Sequence, residues 1–288
     1  MHLISASHSE MRNPSDLLIL NLVISDILNL IINVTPHLIT ELNAVGPFLN
    51  YGVLTCQIII GLEFVSIGSS SWNVVAISIQ HHRAFVLSSE NFDRNVCCMS
   101  NKQFTFLFIA AVWIVALVLS VPNCLDAGVF VNGLCSYVSD VQYILYRLLA
   151  YSVTPLVIIA ILYTLTAGRL VRSARGMPGE IQGHGTHRCA RIKGSKVLMS
   201  LVVVFAVSYM PYFLITYFAT LGIIVKNSVS EYIVALVFFL LFLNSAVNPV
   251  AVYVSSAKYR KYFNRFLFAC FCAKPCRART NHPTVRAV

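Results

Sequence analysis

Several oxygen-bearing side chains fall in long apolar stretches of the sequence, where burying a polar group costs free energy. Asp26 lies in the middle of the first stretch, and serines with Asn73 lie in the second. The last stretch carries two amides and a hydroxyl at mid-depth. The further residues of this set are Ser69, Ser70, Ser71, Asn244, Ser245 and Asn248. A carboxylate with neutral oxygen donors is the chemistry of a hard-cation site, and hydrogen bonding between helices explains the same residues equally well.

A second pair of ionisable residues lies nearer one end of these stretches. Glu63 is about two helical turns from Cys56, and Arg147 lies at the corresponding end of the fourth stretch. A carboxylate at this depth can face a ligand cavity and bind a cation there. The alternative is a partner inside the protein, such as Arg147, and the residues alone favour an internal partner.

Six apolar segments must position these groups, and each reaches or approaches the ~20 residues that cross a bilayer as a helix. The segments are Asp16–Thr40, Val53–Ile79, Phe104–Val121, Val141–Ala167, Val197–Leu221 and Tyr232–Ser255. Hydrophobic residues make up 57% of the chain and charged residues 11%, which excludes an ordinary soluble domain. Unbroken apolar runs also exclude a membrane barrel. We predict an all-α fold, a polytopic membrane helical bundle.

The basic residues predict which loops face the cytoplasm. Of 21 Lys and Arg, only Arg147 and Lys226 lie outside the N-terminal stretch, residues 83–102, residues 169–196 and the tail. Because an excess of Lys and Arg marks the cytoplasmic side, both termini are predicted there. The loops 41–52, 122–140 and 222–231 are then external. The net charge of +10 is divided among separate loops, so it does not form a nucleic-acid surface.

The chain divides into four predicted regions: a cytoplasmic loop (1–15), a transmembrane bundle (16–255), an amphipathic helix at the membrane surface (256–268) and a cytoplasmic tail (269–288). In the third region, Tyr259 and Phe263 share one face and Lys258 and Arg265 another, as in an interfacial helix. Cysteines just past it are candidates for palmitoylation, with metal binding alongside His282 as the alternative. These cysteines are Cys270, Cys272 and Cys276.

Three cysteines lie on the predicted external side, where oxidation is permitted. Cys56 and Cys135 could pair, and Cys124 is then a free thiol or an alternative partner.

In addition, the sequence resembles the rhodopsin-like, class A G-protein-coupled receptors. The resemblance rests on Asn21–Asp26 (NLVISD), Cys56, Trp113, Pro155 with Tyr163, Pro211 and Asn244–Tyr253 (NSAVNPVAVY). Tyr253 and the segment after it are similar to the bombesin- and endothelin-type neuropeptide receptors and their arthropod relatives. Arg12–Leu17 (RNPSDL) looks like the loop between the first two family helices. We therefore expect a seven-transmembrane receptor fold with six spans present and the first missing.

The resemblance implies where ions and ligands bind. It implies a disulfide between Cys56 and Cys135, and sodium as the one expected ion, acting allosterically to stabilise the resting arrangement. The implied sodium site consists of Asp26, Ser70, Asn244, Ser245 and Asn248. The expected ligand site consists of Glu63, Arg147, Tyr151, Tyr209 and Tyr212. Glu63 with Arg147 fits a ligand that carries both charges, such as a peptide end, with a biogenic amine as the alternative.

The sequence departs from the family at residues that the resemblance links to G-protein coupling. Gln80-His81-His82 stands where the family usually has Asp-Arg-Tyr, and Tyr209 stands where a tryptophan often precedes the proline of the sixth helix. Tyr253 comes one place later than the tyrosine of the Asn-Pro-x-x-Tyr motif. The full set implied in activation is Gln80, His81, His82, Tyr163, Pro211, Pro249 and Tyr253.

These observations predict a multi-pass receptor of the plasma membrane that binds an extracellular peptide and signals through a heterotrimeric G protein. A truncated or non-signalling receptor-like protein is an alternative. A transporter or channel is disfavoured because no second, matching half is evident. No set of catalytic side chains is evident, so we expect no enzyme. Asn33 begins a glycosylation signal inside a membrane segment, and we interpret that signal as accidental.

Overall fold

The computed structural model describes residues 14–34, 52–89, 101–129, 135–137, 140–175, 185–224, 227–257, 259–261 and 263–265. Its α-helices are α1 (Pro14–Asn29), α2 (Val53–Ser89), α3 (Asn101–Asp126), α4 (Val141–Leu148), α5 (Thr154–Arg175), α6 (Gly185–Thr220) and α7 (Ser228–Ser255). A π-helical turn, Leu30–Val34, extends α1, and a second one, Leu149–Val153, joins α4 to α5. Six of the resulting rods are long and apolar enough to cross a membrane, which confirms the predicted helical bundle.

Five of the six described helical spans are longer than the apolar segments that predicted them. Helix α2 continues from the predicted end at Ile79 to Ser89, and α6 begins at Gly185 rather than Val197. Hydropathy detects only the part of a helix that hydrocarbon surrounds, so polar extensions beyond the bilayer are missed. The predicted end of the third segment at Val121 was wrong for another reason. Helix α3 continues through Pro122 to Asp126, because a membrane helix tolerates proline where neighbouring groups bond the freed carbonyls.

A short β-hairpin is an exception to the predicted all-α fold. Strand β1 (Ala127–Val129) follows α3 directly and pairs antiparallel with β2 (Cys135–Tyr137), so that Gly128 is opposite Ser136. Strands of three residues are too short to give an alternating pattern in the sequence. The hairpin lies at the end of the bundle that carries the Cys56–Cys135 disulfide. We call that end the outer end and the opposite end the inner end.

Helix α2 lies at the centre of the bundle, where it packs against α1, α3, α5 and α6. Close approach is possible at Gly68, where an added Cβ would lie 3.1 Å from the Tyr151 ring and 3.4 Å from Ala116. Among the described residues, two large apolar clusters fill the interior, and a third, small one consists of Val74, Val75 and Ile159. The outer one includes Phe64, Tyr151, Tyr209, Phe213 and Leu241, and the inner one includes Leu18, Leu22, Val112, Leu201 and Val252.

After α7 the chain continues in helical form through the described residues of the predicted amphipathic segment. The Arg260 amide donates to the Ser256 carbonyl at 3.0 Å. The Tyr253 hydroxyl donates to Asn264 at 3.1 Å, and the Tyr253 ring contacts Phe263 edge to face. The Tyr259 hydroxyl donates to Asp16 at the start of α1, and burial together with this acidic neighbour raises the pKa of Tyr259 above its ordinary value. These contacts fix the segment against the inner end of the bundle.

Candidate functional site

The five residues that the resemblance implies for the cation site come together between α1, α2 and α7, whereas Ser69, Ser71 and Asn73 of the wider polar set form their hydrogen bonds elsewhere. Asp26 is 2% exposed, and three side chains from the other two helices donate to its carboxylate. Ser70 donates to Oδ1 at 2.8 Å, Ser245 donates to Oδ1 at 3.1 Å, and Asn248 donates to Oδ2 at 2.8 Å. The carboxylate therefore joins three helices that are far apart in the sequence.

Acceptor oxygens beside this carboxylate have no hydrogen-bond donor in the described part of the chain. They are the side-chain oxygens of Asn244 and Asn248 and the hydroxyl of Tyr209, all buried. Asn244 Nδ2 donates to Ser70 Oγ at 3.5 Å, which places this amide at the same cluster. The Tyr209 hydroxyl on α6 lies next to Ser70 and within the electrostatic reach of Asp26. A buried carboxylate with spare neutral oxygens fits a small hard cation such as sodium.

A ladder of polar side chains continues from this cluster toward the outer end, and the sequence analysis did not find it. Asn29 Nδ2 donates to Ser245 Oγ at 2.9 Å, and Asn33 Nδ2 donates to Asn29 Oδ1. Asn33 also donates to Ser66 Oγ at 3.0 Å. The available signal was spacing, because Asn29 and Asn33 follow Asp26 at three and seven residues on one helical face. Asn33 is 2% exposed, as its interpretation as an accidental glycosylation signal requires.

A separate polar network lies on the inner side of Asp26. Asn21 Nδ2 donates to Asn73 Oδ1 at 3.0 Å, and Asn73 Nδ2 donates to Ser25 Oγ at 3.2 Å. The Trp113 ring nitrogen donates to Asn21 Oδ1 at 3.1 Å. This network joins α1, α2 and α3, and within the described residues no hydrogen bond connects it to the Asp26 carboxylate.

At the outer end, the disulfide implied by the resemblance is confirmed. Cys56 at the start of α2 is bonded to Cys135 of β2, and Cys124 is a free thiol. The hairpin is thereby covalently attached to the outer end of the central helix.

The residues favoured an internal partner for Glu63, such as Arg147, but Arg147 makes its close ion pair with another carboxylate and acts on Glu63 only at longer range, through its charge. Arg147 is 3% exposed, and its NH2 atom lies 2.9 Å from Asp126 Oδ2. Its Nε atom donates to Asn123 Oδ1 at 2.7 Å, and its guanidinium carbon lies 5.0 Å from the Phe64 ring centre. Sequence reasoning missed Asn123 and Asp126 because it placed both in a loop after Pro122.

The other predicted ligand residues differ in how far they are exposed. Tyr151 and Tyr209 are fully buried, and the Tyr151 hydroxyl donates to the Leu119 carbonyl at 2.7 Å. Glu63 and Tyr212 are half-buried, so each still presents surface. Among the described residues, no hydrogen bond or ion pair reaches the Glu63 carboxylate. Glu63 is therefore the acid of this set that remains available to a ligand.

The atypical triplet lies at the inner end of α2. His82 Nδ1 is 2.8 Å from Thr166 Oγ1 of α5. His81 lines a small cavity together with Tyr163 and Thr166 of α5 and Leu198 of α6. Gln80 is buried, and Arg83 lies over the Phe104 ring of α3 at 3.4 Å. His81, rather than Arg83, therefore occupies the crevice between α2, α5 and α6.

The remaining predicted activation residues lie on α6 and α7. Pro211 is half-buried inside α6, and Pro249 is exposed inside α7. Tyr253 contacts the segment after α7, whereas Val252 faces the inner apolar cluster. The palmitoylation candidates Cys270, Cys272 and Cys276 lie outside the described residues.

Comparison with known proteins agrees with this architecture. The sequence profile of the 7 transmembrane receptor (rhodopsin family) matches residues 2–253. The chain is 28% identical to the neuropeptide CCHamide-1 receptor of Drosophila melanogaster over 96% of its own length and 58% of the relative's. It is 24% identical to bombesin receptor subtype-3 of Ovis aries, over 95% and 71%. It is 25% identical to endothelin receptor type B of Rattus norvegicus, over 91% and 62%. The chain thus spans about three fifths of the length of the first of these relatives.

Proposed function

The chain belongs to the rhodopsin family of seven-transmembrane receptors, and on this premise we propose that it binds an extracellular peptide and signals through a heterotrimeric G protein. The family consists of receptors rather than enzymes, and this member is a multi-pass protein of the plasma membrane. The support for a peptide is that the relatives compared above are named as receptors for neuropeptide CCHamide-1, bombesin and endothelin. A peptide bound at the outer end selects one packing of the bundle, and a movement of α6 carries this conformational change to the inner end.

The observation that carries the ligand proposal is the charge balance around Glu63. Arg147 forms its close ion pair with Asp126 and acts on Glu63 at longer range, so this cluster holds two carboxylates, Asp126 and Glu63, for one guanidinium. A carboxylate without a described ion-pair partner binds a cationic group, such as a peptide amino terminus or a basic side chain. This refines the sequence-based expectation, in which Arg147 was to receive an anionic group of the same ligand.

We expect Glu63→Gln to weaken peptide binding by roughly 10- to 100-fold, the loss of one charge-assisted hydrogen bond. The assay is G-protein activation in membranes that carry the full chain, first screened with a panel of neuropeptides and of biogenic amines. Neutralising the cationic group of the active peptide should weaken binding to the wild type about as much as Glu63→Gln does. The same neutralised peptide should lose little further affinity for Glu63→Gln. Glu231→Gln, an exposed acid at the start of α7, is the matched control. Activation by amines and by no peptide would contradict the proposal.

Sodium is the second ligand in this proposal, bound among Asp26, Ser70, Asn244, Ser245 and Asn248. Its support is the buried carboxylate and the acceptor oxygens beside it that lack a described donor. By holding α1, α2 and α7 together, the ion stabilises the resting arrangement, since a ligand shifts populations through its differential affinity.

Asp26→Asn should abolish the sodium sensitivity of agonist affinity, because the neutral amide no longer attracts the ion. Agonist affinity is measured in sodium chloride and in choline chloride at equal ionic strength. Asp140→Asn, which changes an exposed acid at the outer end, should leave the sodium effect intact. If the sodium sensitivity of agonist affinity is undiminished in Asp26→Asn, sodium does not bind at this carboxylate.

A non-signalling receptor-like protein is the second candidate, and the observation that favours it is His81 in the inner crevice. Installing the family's residues in the triplet distinguishes the two functions, as argued in the Discussion.

A further inference from the structure

The hydrogen bonds of the polar ladder all run in one direction, and Asp26 sets that direction. A carboxylate only accepts, so the single hydroxyl hydrogen of Ser245 goes to Asp26 Oδ1. Asn29 must then offer Ser245 its amide nitrogen, which leaves Asn29 Oδ1 to face the other way. That oxygen accepts from Asn33 Nδ2, and Asn33 Oδ1 becomes the acceptor at the far end of the series.

Local structure places both amides in this series. Asn29 is the last residue of α1, and Asn33 lies in the π-helical turn that follows it. Insertions of this type are frequent at functional sites because they redirect side chains. Asn29 is fully buried, and Ser66 of α2 supports both amides, at 3.0 Å from Asn33 Nδ2 and 3.3 Å from Asn29 Oδ1. The series is therefore held from two helices.

We propose that Asn29 and Asn33 are positioning residues for the cation at Asp26, an inference that rests on the sodium binding proposed above. Asn29 fixes the Ser245 hydroxyl on the carboxylate, so that a lone pair of Ser245 remains available to the ion. Aligned hydrogen bonds polarise one another, and each donor in this series points toward Asp26. Asn33 therefore strengthens the bond that Asn29 makes, from one turn closer to the outer end.

The test uses sodium alone as the probe and the full chain in nanodiscs. The unfolding temperature is measured against sodium concentration, with choline chloride keeping the ionic strength constant, which gives an apparent sodium dissociation constant. We expect Asn29→Leu to raise the apparent sodium dissociation constant about tenfold, because a hydrogen bond directly to Ser245 is lost. We expect Asn33→Leu to raise it about threefold, because its hydrogen bond acts on the site only through Asn29. Asn33→Leu also serves as the second variant if Asn29→Leu does not fold.

The matched control is Asn73→Leu, which removes an equally buried asparagine from the separate inner network. It should lower the unfolding temperature in choline chloride, as the ladder variants do, while leaving the apparent sodium dissociation constant unchanged. A purely structural role for Asn29 would make the two variants behave alike, and that result would overturn the inference.

The remaining outcomes separate this inference from the proposals on which it depends. If the wild type responds to sodium and both ladder variants respond with the same affinity, the positioning role is refuted while the ion site stands. If the wild type gains no stability from sodium, the ion site and the inference are both refuted. Peptide activation, which is assayed separately, is untouched by either result.

Discussion

Asp126→Leu alone should destabilise the bundle by about 3 kcal/mol, because it removes the carboxylate that neutralises a buried guanidinium. The value is taken from the lower end of the range for broken buried pairs, since Arg147 and Asp126 lie near the outer end of the bundle. Both side chains are 4% exposed. The double variant Asp126→Leu with Arg147→Met removes both charges and should recover most of the loss.

The measurement is the free energy of unfolding of the full chain in mixed micelles, titrated with a denaturing detergent. The control is Glu231→Leu, which removes an exposed acid of the outer end and should change stability by less than about 1 kcal/mol. The prediction fails if the double variant is as unstable as Asp126→Leu, since the loss would then come from packing rather than from the uncompensated charge.

This ion pair also shows why sequence reasoning reached only part of the outer site. The charges of Glu63 and Arg147 were correctly placed at one end of the bundle, yet Asp126 was assigned to the external loop 122–140 because the apolar segment was ended at Val121. In a membrane, the tertiary neighbours decide whether a helix continues through a proline. Here Asn123 and Asp126, just beyond the proline, bond to Arg147 and stabilise the last turn of α3.

The clustering of the residues of the proposed cation site was predicted more completely, because a carboxylate and amides within apolar segments are conspicuous at the sequence level. Asp26, Ser70, Ser245 and Asn248 do form one cluster. Asn29 was missed because its spacing from Asp26 shows a shared helical face but not which side chain of α7 that face meets. Its partner Ser245 is 216 residues away in the chain but 2.9 Å away in space. The contact that makes Asn29 part of the site is therefore visible only in the structure.

The helical bundle itself followed from hydropathy and charge, since the bilayer permits few alternatives to a helix. What hydropathy lacks is information on side-chain direction. Tyr253 was grouped with the activation residues, yet its hydroxyl bonds to Asn264 in the segment after α7. A shift of one residue rotates a helical side chain by about 100°, so Val252 takes the inward position instead. The role of Tyr253 in activation stays a prediction.

Replacing the inner triplet with the family's residues should increase G-protein activation about tenfold. This factor corresponds to the free energy of one additional charge-assisted hydrogen bond to the G protein. The variant is Gln80→Asp, His81→Arg and His82→Tyr together. Because His81 lines the crevice between α2, α5 and α6, an arginine there can reach a partner that enters from the inner end. Arg83 cannot substitute for it while it lies over Phe104.

Nucleotide exchange on a purified G protein, at a fixed peptide concentration and equal receptor density, measures this effect. His82→Tyr alone is the control, since it changes the residue bonded to Thr166 and leaves His81 in the crevice. If the triple variant and the original chain activate equally well, the triplet does not limit coupling and His81 already serves in this position. If the original chain is silent and the triple variant active, the natural protein binds its peptide without signalling. The residue at 81 is then what separates a signalling receptor from one that only captures its ligand.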